Sequence, residues 1–404
     1  MLNTQKKQNI ILFTLSLVAI AILWAVFFSP VWWVSLKAPQ YPESAFPAGI
    51  RIDFHVNGVF NGCEKIESTE KSEVEALNCK HEMDAINHYV GMYPIAAGAP
   101  VERAISLFIF LLFTVMILAF ALPERKHRAI LLALASTAII AYSYQTLYGE
   151  GGASMQSSPY LSDVQSTMSL DDKDIALLSG KELIEKSYRE ALGRYFPTPE
   201  INCQSFVPLL KYMDLYASQE RDFFDLNDIL SNGGVTTIAL LDLFKQEYQF
   251  MIKSSVAKEV SEQRFLKNCN ALAQLSGTTD NRRVEIILSA LDLFYGIFVL
   301  GLIALVFGVL KTRLFNWLLI LIPFALPLFF IMDYAGWLWW FGHNLNAMGA
   351  FTVKAFMPTV FGVGKVAQFS TYSYPYYGFG LTILLSMVTG AMALIRFKQQ
   401  QNAD

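Results

Sequence analysis

The chain alternates long apolar runs with polar segments of very unequal length. Six runs approach the roughly 20 residues that a helix needs to cross a hydrocarbon core, at 9–29, 103–122, 129–147, 286–310, 314–332 and 379–396. The polar pattern between them predicts long loops at 30–102, 148–285 and 333–378, and short ones at PERKHR and KTR. The chain therefore divides into an N-terminal membrane anchor (1–29), a first loop (30–102), a transmembrane hairpin (103–147) and a helical domain (148–285). A second hairpin (286–332), an aromatic-rich loop (333–378) and a last span with its tail (379–404) complete it. The first run could be a cleaved signal peptide, but SPVWWVSLKAP after it holds no small-residue cleavage site, so it reads as a retained anchor.

The loops carry their own periods. In RIDFHVNGVFNG, Ile52, Phe54 and Val56 alternate with polar neighbours, and Asn57-Gly58 then predicts a β-hairpin. From about Ser72 to Met92 the period becomes helical, with Gly91 and Pro94 as the stop. The segment 148–285 opens with a linker-like GEGGASMQSSPYLS and continues as amphipathic helices, with nineteen acidic and fourteen basic residues over 148–283. The loop 333–378 has no helical period. Its runs are short, β-prone and broken by Gly and Pro, and after Asp333 its full charges are Lys354 and Lys365. A loop this apolar is expected to pack on the first loop or on a partner protein. Trp337, Trp339 and Trp340 at its start read as an interfacial belt.

Composition agrees with the pattern: 54% of residues are hydrophobic and 16% charged, and mean hydropathy is +0.37. A soluble domain carries about a quarter charged residues. Net charge is −3, too small to indicate a nucleic-acid partner. The basic residues fix an orientation instead. Lys6 and Lys7, then Arg125, Lys126 and Arg128, then Lys311 and Arg313, then Arg396 and Lys398 fall in alternate connections. The positive-inside rule puts these, with both termini, on the cytoplasmic side. The first loop, with ten acidic and five basic residues, then lies outside. The expected class is mainly α: a six-helix polytopic membrane protein with a helical extracytoplasmic domain and two smaller extracytoplasmic loops containing short β segments.

All four cysteines, Cys63, Cys79, Cys203 and Cys269, fall in the outer loops. Four cysteines allow three pairings, and Cys63–Cys79 with Cys203–Cys269 gives one staple per loop in an oxidising compartment. No Cys-x-x-Cys spacing exists for a metal thiolate.

Several chemistries are excluded. There is no phosphate-binding glycine fingerprint, no Cys-x-x-Cys-His for haem, no histidine inside a span, and no GxSxG or HExxH motif. Nothing names a reaction, and a non-enzymatic role is expected. What remains is a set of histidines and methionines on the outer side. A helix at 72–92 would put His81, Asp84, His88 and Met92 on one face. His55 precedes the hairpin turn, and His343, Met348 and Met357 follow span five. Imidazole with thioether suits copper. The bland reading is a solvated helix face. His127, in PERKHR, reads as an ordinary inner-side polar residue. Ionisable residues at span ends give a second possibility, an ion or proton pathway using Asp292 and Asp333. A secondary transporter would also show broken spans, and Pro323 and Pro327 can break span five.

The phrases KAPQYPE, INHYVGM, FGHNLN and FSTYSYP together resemble a family of bacterial multispan inner-membrane proteins associated with nitrous-oxide reductase and copper-maturation gene clusters. The resemblance covers the first and third outer loops and the span arrangement, but not the helical domain. It implies an accessory inner-membrane protein that handles copper extracytoplasmically in support of a partner metalloenzyme, with His88, Met92 and His343 at motif positions. LNAMGAF stands where the family has an aspartate-proline. His55 and His81 join that set by proximity alone, and Met348 lies beside His343 in the third loop. A metal-free assembly or scaffold protein, docking a partner on its outer loops, and a secondary transporter are the competing expectations.

Overall fold

The computed structural model describes residues 2–63, 77–93, 99–156, 161, 165, 170–195, 203–210, 213, 238–254, 258–346, 349, 354–366 and 368–401. It is mostly helical. Among the described residues, five helices are long and apolar enough to cross a membrane, or six if one bent pair forms a single span.

The first helix, α1 (Leu2–Phe27), leads directly into strand β1 (Trp32–Lys37). The hairpin read from Asn57-Gly58 is present: β2 (Ile50–His55) pairs with β3 (Gly58–Asn61), and Gly58 has φ +131°. Near the other end of the chain, β4 (Gly362–Val366) and β5 (Phe369–Pro375) form a second hairpin, followed at once by the last helix, Tyr377–Gln401. The apolar third loop thus packs on the first. β5 pairs antiparallel with β1, from Trp32 opposite Pro375 to Lys37 opposite Ser370, giving a five-stranded sheet of order β3-β2-β1-β5-β4. Two bonds extend the ladder to the helix ends: Tyr376 N–H donates to Val31 C=O at 2.9 Å and Gly378 N–H to Pro30 C=O at 3.0 Å. A Cβ on Gly378 would stand 2.5 Å from that Pro30 oxygen, which is why the position takes glycine.

One sheet face buries Trp32, Val34, Leu36, Ile50 and Ile52. Against it pack α2 (Cys79–Tyr89), through Cys79, Met83 and Ile86, and the helix holding Tyr334 and Leu338. Helix α2 ends as expected at Gly91, whose φ is +77°. Gly91 N–H donates to His88 C=O and Met92 N–H to Asn87 C=O, both at 2.9 Å, the paired bonds of a Schellman cap. The helix begins at Cys79 with Asn78 as its cap; residues 72–76 and Pro94 lie outside the described residues.

Helices α3 (Pro100–Ala121) and α4 (Arg125–Tyr148) form the first hairpin. In the domain 148–285 the described helices include α5 (Gly180–Tyr195) and α6 (Ile238–Ser254). Residues 157–160 of the expected linker and most of 205–230 lie outside the described residues. Span four is the end of a much longer helix, α7 (Lys258–Lys311), which contains no proline and runs on through Gly277. Its membrane-length portion is Arg282–Lys311. Span five is two helices, α8 (Arg313–Phe324) and α9 (Leu326–His343), bent by 61°. Pro323 and Pro327 flank the break, and a proline cannot donate to the turn before it. α9 continues past the expected end of the span, carrying the three tryptophans within it. The last helix is α10 (Tyr377–Gln401), packed beside α1. Cys63–Cys79 and Cys203–Cys269 stand at disulfide distance, with Cα separations of 5.9 and 6.0 Å.

At the end of the bundle away from the sheet, the basic residues are more than a solvated fringe. Arg396 is 7% exposed, and its Nη2 donates to the carbonyls of Phe120, Ala121 and Leu122 at 2.7–3.1 Å. Arg128 donates from Nε to Leu122 C=O and from Nη1 to Asn316 Oδ1, both at 2.7 Å. These are the carbonyls that a helix C-terminus leaves without partners, at its negative end. Removing the guanidinium in Arg396→Met should lower stability by about 1.5–3 kcal/mol, the range for hydrogen bonds from a charged donor. The check is the thermal denaturation midpoint in detergent, with Lys398→Met as an unaffected control.

Candidate functional site

The described copper candidates do not assemble as the helical spacing suggested. His81 is exposed on α2 while Asp84, three residues on, is 3% exposed and faces the core. Met92 is not on the helix at all. The left-handed turn at Gly91 redirects the chain and buries Met92 in an apolar cluster with Phe108, Leu288 and Phe341. His88 is half-buried at the end of α2, where burial pushes its imidazole pKa down. His343 is exposed at the end of α9, stacked on Trp339 at 4.6 Å and sharing a 2.8 Å hydrogen bond between Nδ1 and Trp339 C=O. Met357 is 45% exposed, and Met348 lies outside the described residues. His127 makes only an exposed ion pair with Glu124. Among the described residues, no group of three His, Cys, Asp or Glu side chains is placed to hold a metal ion.

The segments bearing these residues do meet. Asn346 N–H donates to Gly91 C=O at 2.7 Å, and the Asn346 side-chain amide reaches Tyr93 Oη at 3.3 Å. Gly349 packs so closely that an added Cβ would lie 2.7 Å from Gly91 N. The phrase KAPQYPE begins at the last residue of β1, and FSTYSYP is β5, its partner strand. All four phrases therefore belong to one assembly at the sheet end of the bundle.

Beneath that assembly lie two adjoining cavities. The first, of about 60 Å³, lies under the β2–β3 hairpin, between the start of α3 and α9. The second, about 420 Å³, runs along α3 towards Leu326. Four residues line both: His55, Glu102, Phe330 and Asp333. The ionisable three come from the sheet, α3 and α9. Glu102 sits in the first turn of α3, behind Pro100, where the helix dipole favours a carboxylate. Trp337 hydrogen-bonds to its carboxyl, Asp333 lies close enough to repel it, and its buried Oε2 has no hydrogen-bond partner among the described residues. One turn on, Ser106 is 4% exposed, lines the second cavity, and leaves its Oγ equally without a partner. Arg103 packs its guanidinium 4.4 Å from the Phe60 ring centroid and donates to Val59 C=O at 2.7 Å. The imidazole of His55 lies 4.5 Å from the same ring.

Of the two acids read from the sequence as pathway residues, Asp333 is at the cavities and Asp292 is not. Asp292 accepts from Lys181 Nζ at 2.6 Å and Tyr148 Oη at 2.9 Å, tying α5 to α4 and α7. Glu102 escaped the sequence reading because it fell one residue before the predicted start of span two. A glutamate two residues after a proline at a helix start was the available signal. No protein-family model matches the chain, and comparisons with curated proteins and with solved structures find no match.

Burial, with Arg103 beside it, pushes His55 from an ordinary pKa of 6.5 down to about 4. Between these values the unfolded imidazole takes up a proton and the folded one does not, so the unfolded state binds more protons and stability falls with falling pH. The melting midpoint in detergent should therefore drop on acidification through that window, and less steeply in His55→Gln. His88, shifted in the same direction, adds to that slope.

Proposed function

We propose that the protein is a multispan membrane carrier that binds a cationic substrate, or exchanges it for a proton, at the His55, Glu102 and Asp333 cluster. The observation that carries this reading is the shared lining. Two carboxylates from different helices and an imidazole from the sheet face the same pair of cavities. Ionisable residues within a helical bundle mark ion and proton pathways more often than they serve packing. The break between α8 and α9, seven residues before Asp333 by its nearer end, adds the discontinuous helix that substrate sites in carriers use. The basic end of the bundle supports a cytoplasmic placement for that end and for both termini. The cysteine pairs then fall outside, as in the envelope of a bacterial inner membrane.

The test is flux in proteoliposomes under an imposed pH gradient, with internal pH read during addition of a panel of organic and inorganic cations. Wild type should move protons in response to at least one cation. Glu102→Gln and Asp333→Asn should each slow that response about tenfold or more, the effect of losing a charged hydrogen-bond partner worth roughly 1.5–3 kcal/mol. Asp292→Asn should leave it unchanged. Wild-type rates equal to those of protein-free vesicles, or unaltered rates in both carboxylate variants, would reject the carrier.

Copper handling is the second reading, and a specific observation favours it: the Gly91–Asn346 bond joins the turn holding His88 to the loop that follows His343. On this reading the protein binds extracytoplasmic Cu(I) as cargo and passes it to, or receives it from, a partner docked on the outer loops. Purified protein titrated with Cu(I) should then bind about one equivalent, lost in the His88→Ala, His343→Ala double variant. Undiminished affinity in that variant would eliminate the reading.

A further inference from the structure

The second cavity has a shape and polarity that narrow the class of substrate. It is polar at one end only, where His55, Glu102, Ser106 and Asp333 gather. Below them its walls are apolar and aromatic, from Ile105, Ile109 and Phe113 on α3, Phe298 on α7 and Phe329 on α9. From Glu102 to Phe113 the helical rise amounts to about 16 Å, close to half of the roughly 30 Å hydrocarbon core. The cavity is thus about one leaflet deep. It is also open at the side: Phe294 is 41% and Phe329 45% exposed, on the surfaces of α7 and α9 that no other described element covers.

We infer that this cavity takes an amphiphile with a protonated amine head and a single apolar chain, admitted sideways from the membrane between α7 and α9. The amine head rests on the carrier reading, and the apolar chain goes beyond it. At the head, Arg103 is the cation that faces Glu102, while Glu102 and Asp333 are two acids, so an incoming positive charge is favoured over a negative one. An ammonium group brings three donors. Glu102 Oε2 and Ser106 Oγ are buried acceptors without a hydrogen-bond partner among the described residues, and Asp333 offers a third acceptor. Leaving such acceptors unmet is costly in an apolar surround, and a ligand that donates to them recovers that loss. Along the walls the chain exchanges bilayer for protein contacts, so the apolar part contributes fit and depth, and the amine supplies selectivity.

The test uses the full-length protein in nanodiscs and a dodecylamine carrying a photoactivatable group at the chain end. After irradiation, labelled peptides should map to 105–113 and 294–298. Unlabelled dodecylamine should compete, and dodecanol should need at least a tenfold higher concentration. Glu102→Gln should weaken capture by a similar factor. Ile109→Trp, which fills the apolar wall, should abolish labelling. Uniform labelling over the outward faces of α1 and α10, or equal competition by dodecanol, would overturn the inference. If labelling fails while the vesicle response still depends on Glu102 and Asp333, the carrier reading survives and only the lipophilic substrate is rejected. If labelling succeeds without any vesicle response, the cavity binds such amines but does not carry them.

Discussion

The pairing of β1 with β5 is the contact on which the rest of the arrangement depends. β1 leaves the first helix after four residues, and β5 enters the last helix after one. Pairing them therefore sets α1 beside α10 and closes the bundle between the two ends of the chain. A single buried hydroxyl locks the seam to a third helix. Ser373 Oγ donates to Val360 C=O at 2.7 Å, so it accepts from Trp32 Nε1 at 2.9 Å and from Tyr334 Oη at 3.0 Å. Tyr334 follows Asp333 on α9, so the bond that fixes the sheet also fixes the acid in the cavity. Long-range closure of this kind carries an entropic penalty that local helices do not. Satisfying a fully buried serine, a tryptophan and a tyrosine together is the compensation visible here.

The opposite end is held by a different physics. Helix C-termini present unpaired carbonyls, and in an apolar surround these need donors. Arg396 and Arg128 meet them at the end of α3. The same arginines that signal orientation in the sequence are thus structural caps. Charge bias and packing are two readings of one set of residues, which explains why they are 7% and 6% exposed when a fringe of solvated cations would be open.

What the sequence made legible follows from how local each signal is. The helical runs, the Asn57-Gly58 hairpin and the Gly91 stop depend on neighbours within a few residues, and each is present. The cysteine pairing was legible because topology assigned one pair to each loop. One local signal misled. The spacing of His81, Asp84, His88 and Met92 holds only while the helix continues, and the Schellman turn ends it before Met92. The break in span five was legible from Pro323 and Pro327, though not its 61° angle. The cavity was largely illegible. His55, Glu102 and Asp333 lie 47 and 231 positions apart in succession, and only the tertiary fold juxtaposes them.

The bend is what makes the cavity possible. A straight helix over 313–343 would carry its upper half away from the line set by its lower half; the 61° break turns α9 under the sheet instead. Breaking a helix frees backbone carbonyls, and one of them is met from outside: Ser386 Oγ on α10 donates to Phe324 C=O at 2.6 Å. A side-chain hydroxyl replaces the missing rung, as apolar surroundings require of an interrupted helix. The break is therefore a stable element of the bundle. It interrupts the hydrogen-bond ladder around Pro323 and Pro327, and it brings Asp333 to the cavities that Glu102 also lines.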